Sequence, residues 1–493
     1  MNQSPFSSTL FKPHIPPPTH QDTTILNPRS RINSNVNRSL PASSTQMQIV
    51  PPPQPKPPIR NLNRPSSNNP APIEKKELRV FLSPIIQNGP ISPQEAIEKY
   101  SPLLTRYEMN EIKNFQSIYY LGIVHRKINP DQSNQFNGGF DTNDHAYKII
   151  NGDHLAYRYE ILFSIGEGAF GQVIKALDHK TGEQVAIKII VNTKQMHTEG
   201  KLESDLLTKL NSRSCPNVVQ AYDVFLFRNH LCISFEILGR DLFELIQGKH
   251  YSRLLKPFPD SLIKSYALQI FQGLAGIHDA GIVHCDIKPE NILVTKNSRN
   301  IIKIIDFGSG CFEGFQTYQY VQSRFFRAPE VVLGIKYGPP IDIWSTAMVI
   351  IELMTGRPLF ECENELELLW MITELLGPPP DHLIQKSTRK KTFFDEQIGG
   401  KFVLKRIPRK YFRPSSLDLM KFLDTKDFQL YDLLIRCITW NSETRITAKE
   451  ALNHPWIQTK SVIPAKQQPR LTTSIVTQSP SLLPSLQKFK KVE

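Results

Sequence analysis

The stretch His284-Cys285-Asp286-Ile287-Lys288-Pro289-Glu290-Asn291, followed fifteen positions after Asn291 by Asp306-Phe307-Gly308, constrains this chain more than any other. It places a carboxylate, a lysine two residues later, an amide and a second carboxylate at loop spacing. Moving a phosphoryl group from a nucleotide asks a protein mainly for positioning and charge neutralisation: a carboxylate at the attacking hydroxyl and oxygen ligands for magnesium on the phosphates. Asp286 fits the first role, and Asn291 with Asp306 fits the second. Lys288 is placed to touch the γ-phosphate. The run Ile292-Leu293-Val294 reads as a short buried strand fixing the loop from behind. A polar turn before a strand would account for Pro289 and Asn291 but not for the whole string.

The 493 residues exceed what one core holds, so two or more folded regions with flexible segments are expected, and 40% hydrophobic residues suffice for a sizeable interior. The 39 prolines and the net charge of +13 are unevenly spread. Proline crowds into residues 1–78, with Arg29, Arg31, Arg38, Lys56, Arg60 and Arg64 against almost no acid, and a disordered tail is expected there and again over 458–493. Ser4-Pro5, Ser83-Pro84 and Ser92-Pro93 are candidate phosphate acceptors. The basic groups Arg389-Lys390-Lys391 and Lys488, Lys490 and Lys491 lack interleaved aromatics, so they read as solvated surface or docking sites and not as a nucleic-acid interface. Six cysteines scattered without CxxC pairs argue against a disulfide framework or a zinc site and for a reducing compartment. Without a leader or an apolar run of spanning length, a soluble intracellular protein is expected, with no membrane partner.

Taken in order, Ser92-Pro93-Gln94-Glu95 reads as a helix start, and helical spacing continues through Ala96, Ile97, Tyr100, Leu103 and Leu104. A second amphipathic helix is expected over Tyr107, Ile112, Phe115, Ile118 and Tyr119, making 84–125 a small helical unit within an accessory region at 79–157. A strand from Tyr159 to Ile165 runs into Gly166-Glu167-Gly168-Ala169-Phe170-Gly171-Gln172-Val173. A lone GxGxxG fits a dinucleotide fold as well, but there a helix would start inside the motif. Here a strand follows, giving a hairpin whose bare backbone can cover phosphates. Lys188 ends Val185-Ala186-Ile187-Lys188, and Glu203 lies on a helix of Leu202, Leu206, Leu207 and Leu210. Glu203 is the expected anchor of Lys188, with Glu199 one turn earlier as its rival.

Leu231 to Leu238 reads as a buried strand whose backbone at Glu236 and Leu238 meets an adenine edge, with Phe235 behind it. Helices are expected over Ser261–Ile277, Ile341–Met354 and Leu366–Leu376, an irregular insert over 378–413, and a closing helix over Thr447–His454.

These segments, with Ala328-Pro329-Glu330 and Asp342-Ile343-Trp344-Ser345, stand in the order of the protein kinases. Within them the chain resembles the dual-specificity tyrosine-regulated (DYRK) kinases of the CMGC group, which carry Cys where most kinases have Arg in His-Arg-Asp, as Cys285 does here. Tyr318-Gln319-Tyr320-Val321-Gln322-Ser323-Arg324 and His154-Leu155-Ala156-Tyr157-Arg158-Tyr159-Glu160 match the same family, and 84–125 looks like the accessory region of its class II branch. The likeness covers residues 84–457. Phe326 departs where tyrosine is usual, Ala347 where glycine is, and Asn441 where aspartate precedes Arg445. The acidic run near Gly139 is thinned to Asp141 and Asp144.

The resemblance implies a bilobal α+β kinase fold, with a small β-rich N-lobe at 158–238 and a larger helical C-lobe at 239–457. It implies a monomer that phosphorylates Ser or Thr on protein substrates with ATP and Mg2+, in the cytoplasm and with access to the nucleus. It assigns Asp286 and Lys288 to catalysis, Asn291 and Asp306 to the metal, and Ile165, Gly166, Gly168, Phe170, Gly171, Val173, Ala186, Lys188, Glu203, Phe235, Glu236, Leu238 and Leu293 to ATP. Arg327 shapes a pocket for proline after the target residue, and Glu290 pairs with an upstream arginine. Tyr320 is the expected autophosphorylation site, with Tyr318 competing, Arg324 and Arg327 as cations for the phosphate, and 84–150 assisting during maturation. A scaffold without chemistry and a basic nucleic-acid binder are the rival readings.

Overall fold

A computed structural model describes residues 85–86, 89–130, 136–168, 170–248, 257–408 and 410–459. The expected tails, apart from positions 458 and 459, and the Ser4-Pro5 and Ser83-Pro84 acceptors lie outside the described residues. Those described form two compact units, one of 85–201 with 222–236, the other of 202–221 with 237–459.

In the first unit Ser92 caps helix α1 (Pro93–Tyr100) by accepting from the Glu95 amide at 3.2 Å, as its sequence predicts. The expected second helix is only the turn α2 (Glu108–Glu111) and a 3₁₀ turn at Ile112–Asn114. Ile118 and Tyr120 instead bridge antiparallel to Ile91 and Ile85. Both are buried and two residues apart, the period of a strand, and this overrides the helical spacing that includes Ile118.

Strands β1 (His154–Leu155), β2 (Tyr159–Gly168), β3 (Gly171–Asp178), β4 (Glu183–Ile190), β5 (Ala221–Phe227) and β6 (His230–Glu236) form one sheet in the order β1-β2-β3-β4-β6-β5. On β4, Val185, Ile187 and Ile189 are buried in a core with Ile161, Ile174, Ala176 and Cys232, so Ala186 and Lys188 face the other way. Helix α3 (Lys194–Ser212) follows β4 and runs from the first unit into the second.

Charged side chains tie the accessory region to this sheet. Glu108, 1% exposed, accepts from Lys127 Nζ at 2.7 Å and lies 2.9 Å from His154 Nε2 and 3.5 Å from Arg228 Nη2. Arg228 also donates twice to Glu111, at 3.0 Å each, and Tyr157 donates to the same carboxylate at 2.8 Å. Burial pushes the Glu108 pKa up, but His154 and Lys127 outweigh it and hold the carboxyl well below the usual range. Glu108, Asp153 and His154 converge as metal ligands would, yet Lys127 and Arg228 already bring positive charge to that point. The thinned acidic segment is held through Asp141 and Asn137: buried Asp141 accepts from Asn137 and Asn192 at 2.8 and 2.9 Å and meets His230 at 2.8 Å, and Asn137 donates to the Arg228 carbonyl at 2.7 Å.

In the second unit β7 (Leu238–Asp241) leads into α4 (Leu242–Gln247), capped by Asp241, and α5 (Asp260–Asp279) precedes β8 (Ile282–Val283). β9 (Ile292–Thr295) lies between β7 and β10 (Ser298–Ile304), and β11 (Cys311–Phe312) pairs with β8. After the turn α6 (Pro329–Val332) comes α7 (Pro340–Thr355), in which every residue from Ile341 to Met354 is buried. Its apolar character on all sides makes it the central helix of this unit. It stops at Gly356, whose φ of 75° gives the left-handed C-cap, and α8 (Glu365–Leu376) follows, capped by Asn364. No helix among the described residues is long and apolar enough to cross a membrane.

The 378–413 segment, expected to be irregular, instead has regular structure. It holds α9 (Asp381–Lys386), α10 (Lys390–Phe393) and a hairpin of β12 (Phe394–Glu396) and β13 (Phe402–Leu404). Leu383, Ile384, Phe393, Phe394 and Leu404 are buried, and these isolated apolar residues are diluted by Pro and Lys in the sequence. Arg389 likewise is more than solvated surface: though partly exposed, it clasps Glu365 through two bonds of 3.0 and 2.7 Å. Toward the end of this unit Arg445 is fixed on Glu330 at 2.7 and 3.0 Å, and Thr447 and Glu450 form a capping box.

Candidate active site

The second unit carries the catalytic loop. Asp342, fully buried on α7, accepts from the backbone amides of His284 and Cys285 at 2.9 and 3.0 Å and lies 3.0 Å from His278 Nε2. His284 Nδ1 accepts from the Asp286 amide at 3.2 Å, which leaves Nε2 to donate to the Ile305 carbonyl at 2.9 Å. The ring thus ties the loop to the residue before Asp306. Cys285 is buried with its sulfur 3.9 Å from that of Cys311, so the loop supplies no cation at this position.

Asp286 is held on every side. Lys288 Nζ donates to Oδ2 at 2.5 Å, the Ser323 amide and hydroxyl to Oδ1 at 3.1 and 2.9 Å, and Asn291 Nδ2 to its carbonyl at 2.9 Å and to Oδ2 at 3.2 Å. Burial works against the Lys288 ammonium, but Asp286, with Glu290 and Asp306, keeps its pKa above the ordinary value. Asn291 spends its amide N–H groups on Asp286, which leaves Oδ1 as a neutral oxygen ligand. Asp306, half-buried with φ 62°, carries a carboxylate; the two side chains expected to hold a metal thus offer only oxygen, which would suit a hard divalent cation. Leu293 on β9 and Leu238 on β7 lie on adjacent strands, both half-buried. Glu203 is buried, whereas its rival Glu199 accepts from Gln195 at the surface at 3.0 Å.

The first unit presents the hairpin of β2 and β3. Gly166 pairs with Val173 and Gly168 with Gly171, Ile165 is 46% exposed, and across the sheet Val173 pairs with Lys188 and Ala186 with Phe235. Only glycine fits at position 171: with φ 149°, an added Cβ would stand 2.1 Å from the Ile189 carbonyl oxygen. Lys188 Nζ lies 5.9 Å from the centre of the Phe170 ring, and Glu236 closes β6, half-buried.

In the activation segment Arg327 donates through Nε to the Val321 carbonyl at 2.9 Å, through Nη2 to the Gln322 carbonyl at 2.6 Å and through Nη1 to the Tyr320 hydroxyl at 2.6 Å. Its guanidinium also lies 3.9 Å over the Tyr320 ring. Arg324 donates to the Glu363 carbonyl at 2.6 Å, so Arg327 is the arginine that meets Tyr320. Tyr320 is 51% exposed and Tyr318 40%.

Sequence reasoning assigned no role to Ser323 or Asp342. Ser323 offered only a hydroxyl in a polar run, and its bond to Asp286 spans 37 residues. Asp342, an acid in the first turn of a predominantly apolar helix, was the stronger signal.

Residues 159–457 match the protein kinase domain. The chain is 41% identical over 404 residues to the DYRK-family kinase pom1 of Schizosaccharomyces pombe, a match covering 78% of this chain and 36% of pom1. It is 39% identical over 414 residues to dual specificity tyrosine-phosphorylation-regulated kinase 4 of Homo sapiens, covering 83% of this chain and 78% of that kinase. With kinase 3 of that name from Homo sapiens the identity is 40% over 405 residues, covering 78% and 67%. The chain therefore spans about a third of pom1 and two thirds or more of the two human kinases. A kinase domain implies ATP and a divalent metal ion, and a family match over most of the chain fixes its place: this protein belongs to the DYRK family of protein kinases.

Proposed function

We propose that the chain is a Mg2+- and ATP-dependent kinase that phosphorylates serine or threonine followed by proline, with arginine upstream, on protein substrates, and phosphorylates its own Tyr320. Asp286 orients the substrate hydroxyl and accepts its proton, while Lys288 neutralises charge on the moving phosphoryl group. Asn291 and Asp306 hold the metal, which when bound screens the phosphate charge. Lys188 orients the α- and β-phosphates, Glu203 is the carboxylate that family resemblance assigns with it to the ATP site, and the glycine hairpin of Ile165, Gly166, Gly168, Phe170, Gly171 and Val173 excludes water. Ala186, Phe235, Glu236, Leu238 and Leu293 take the adenine. Ser323, bonded to both Asp286 and Lys288, keeps the activation segment in register with the base. The scaffold alternative finds no support in a loop that keeps each of these groups.

The Gln322 carbonyl carries the proline-directed reading. Gln322 adopts φ 69°, a left-handed conformation uncommon outside glycine, and its carbonyl accepts from Arg327 Nη2 at 2.6 Å. A carbonyl already occupied by a guanidinium is a poor acceptor for the N–H of the residue after the target hydroxyl. Proline has no N–H to leave unsatisfied. Glu290 supports the upstream arginine, since a carboxylate takes a guanidinium through two parallel bonds. An arrayed peptide library phosphorylated by the purified chain should select proline after the target residue, and a profile indifferent to proline would overturn this reading.

For Tyr320 the supporting contact is Arg327, a cation already on its hydroxyl and ring. Mass spectrometry of chain made in a bacterial host should find phosphate on Tyr320, absent from Asp286→Asn. Active protein with unmodified Tyr320, or equal modification in the inactive variant, would end the proposal.

A further inference from the structure

We propose that Glu365 and Arg389 are a positioning pair that sets selectivity for the residue after the target hydroxyl, by fixing the Arg327 guanidinium against the Gln322 carbonyl. This rests on the proline-directed reading above and extends it to two residues outside the activation segment, one of them in the 378–413 insert.

The argument starts from burial. Arg327 is 4% exposed, and a guanidinium so enclosed needs a counter-charge. Glu365, the first residue of α8, supplies it at 3.3 Å from Nη1. That contact also steadies the fork: Nε and Nη2 are held by the Val321 and Gln322 carbonyls, and Nη1 is shared between the Tyr320 hydroxyl at 2.6 Å and Glu365, the charged acceptor of these four. Glu365 is in turn held by Arg389, Nη1 to Oε1 at 3.0 Å and Nη2 to Oε2 at 2.7 Å. Arg389 is pinned from the other side, its Nη1 donating to the Val332 carbonyl at 3.0 Å and its guanidinium lying 4.8 Å from the Phe393 ring centre. An unbroken run of contacts therefore leads from the insert through Arg389, Glu365 and Arg327 to the carbonyl on which proline selectivity turns.

Gln322 shows why the run matters. Its side chain is fixed by bonds to the Ile341 carbonyl at 3.0 Å, to Ser345 Oγ at 2.8 Å and from the Ala328 amide at 2.9 Å, so the residue stays in place. Its carbonyl answers to Arg327 alone among these contacts. If Arg327 loses its counter-charge and turns, that oxygen is freed to accept an N–H, and residues other than proline become acceptable after the target hydroxyl.

The test uses the purified full chain and two peptides differing only in proline or alanine after the target serine, with kcat and KM measured separately. Glu365→Gln keeps the shape and removes the charge. The ratio of kcat/KM for the proline peptide over the alanine peptide should fall about tenfold, the scale of one lost charge-assisted hydrogen bond. The change should lie in KM, with kcat on the alanine peptide retained. Arg389→Gln should lower the ratio less, Arg389→Lys should recover part of it, and the double Glu365→Gln, Arg389→Gln variant should be no worse than Glu365→Gln alone. Should Glu365→Gln fail to fold, the Arg389 series decides, because that side chain is 32% exposed. Variants that melt earlier but keep the wild-type ratio, or lose rate equally on both peptides, would make the pair merely structural and overturn the proposal. A wild-type chain indifferent to proline would overturn the proline-directed reading and this proposal together, and is recognised in the wild type alone.

Discussion

Asp286→Asn should lower peptide phosphorylation by roughly three to four orders of magnitude, the scale of a lost general base, with the melting midpoint moved by no more than a few degrees. The substitution removes the charge and the proton acceptor but keeps the shape. Ser323 can still donate from its amide and hydroxyl to Oδ1, and the backbone bond from Asn291 does not involve the carboxylate. The structural loss is at Oδ2, which accepts from Asn291 at 3.2 Å and from Lys288; the Lys288 side chain is 21% exposed and retains Ser323 at 3.4 Å, and Asn291 retains the Asp286 carbonyl. Nucleotide binding should persist. Lys188→Met, in the first unit, should be equally inactive and equally folded, because it too removes a charge and no packing. Wild-type-like turnover by Asp286→Asn would sink the catalytic assignment; a collapsed melting midpoint would instead make Asp286 a structural anchor.

Much of this site was legible because its chemistry is contiguous. Asp286, Lys288 and Asn291 lie within six residues, and the loop that holds them is their own sequence. The glycine hairpin was readable because Gln172 to Ala176 continues as a strand, and Glu203 was preferred to Glu199 by the inward face it shares with Leu207; both Glu203 and Leu207 are buried. What escaped depends on contacts between distant residues. Ser323 reaches Asp286 across 37 positions, and Arg389 reaches Glu365 across 24, where composition alone made a basic insert look solvated. Ile118 fits a helical face and a strand equally well by spacing, and only its bridge to Ile91 decides. The thinned acidic run near Gly139 keeps Asp141, which has three partners, and Asn137 adds a bond to the Arg228 carbonyl; these pairings are with residues up to 91 positions away.

Glu108→Gln should destabilise the chain by about 3–5 kcal/mol, the usual cost of removing one partner from a buried ion pair. For a unit of this size that is a fall in melting midpoint on the order of 10 °C. The size follows from what remains. Lys127, its side chain 1% exposed, would lose the carboxylate at 2.7 Å, and Arg228, equally buried, would keep only Glu111 as a close acid. The amide can still accept from the Thr105 backbone N–H, which meets Glu108 at 2.8 Å in the native chain, so the loss is electrostatic and not a cavity. The pH dependence separates this from a generic packing defect. With its pKa held well below the usual range by His154 and Lys127, against burial, Glu108 is more acidic folded than unfolded. Its contribution is therefore complete above the unfolded carboxylate value of about 4.3 and is lost as pH falls through that value toward the folded one. Melts of wild type between pH 7 and pH 3 should steepen in that window, and Glu108→Gln should show a shallower fall from a lower start. Parallel curves for the two proteins would show that the Glu108 charge does not hold the accessory region to the sheet.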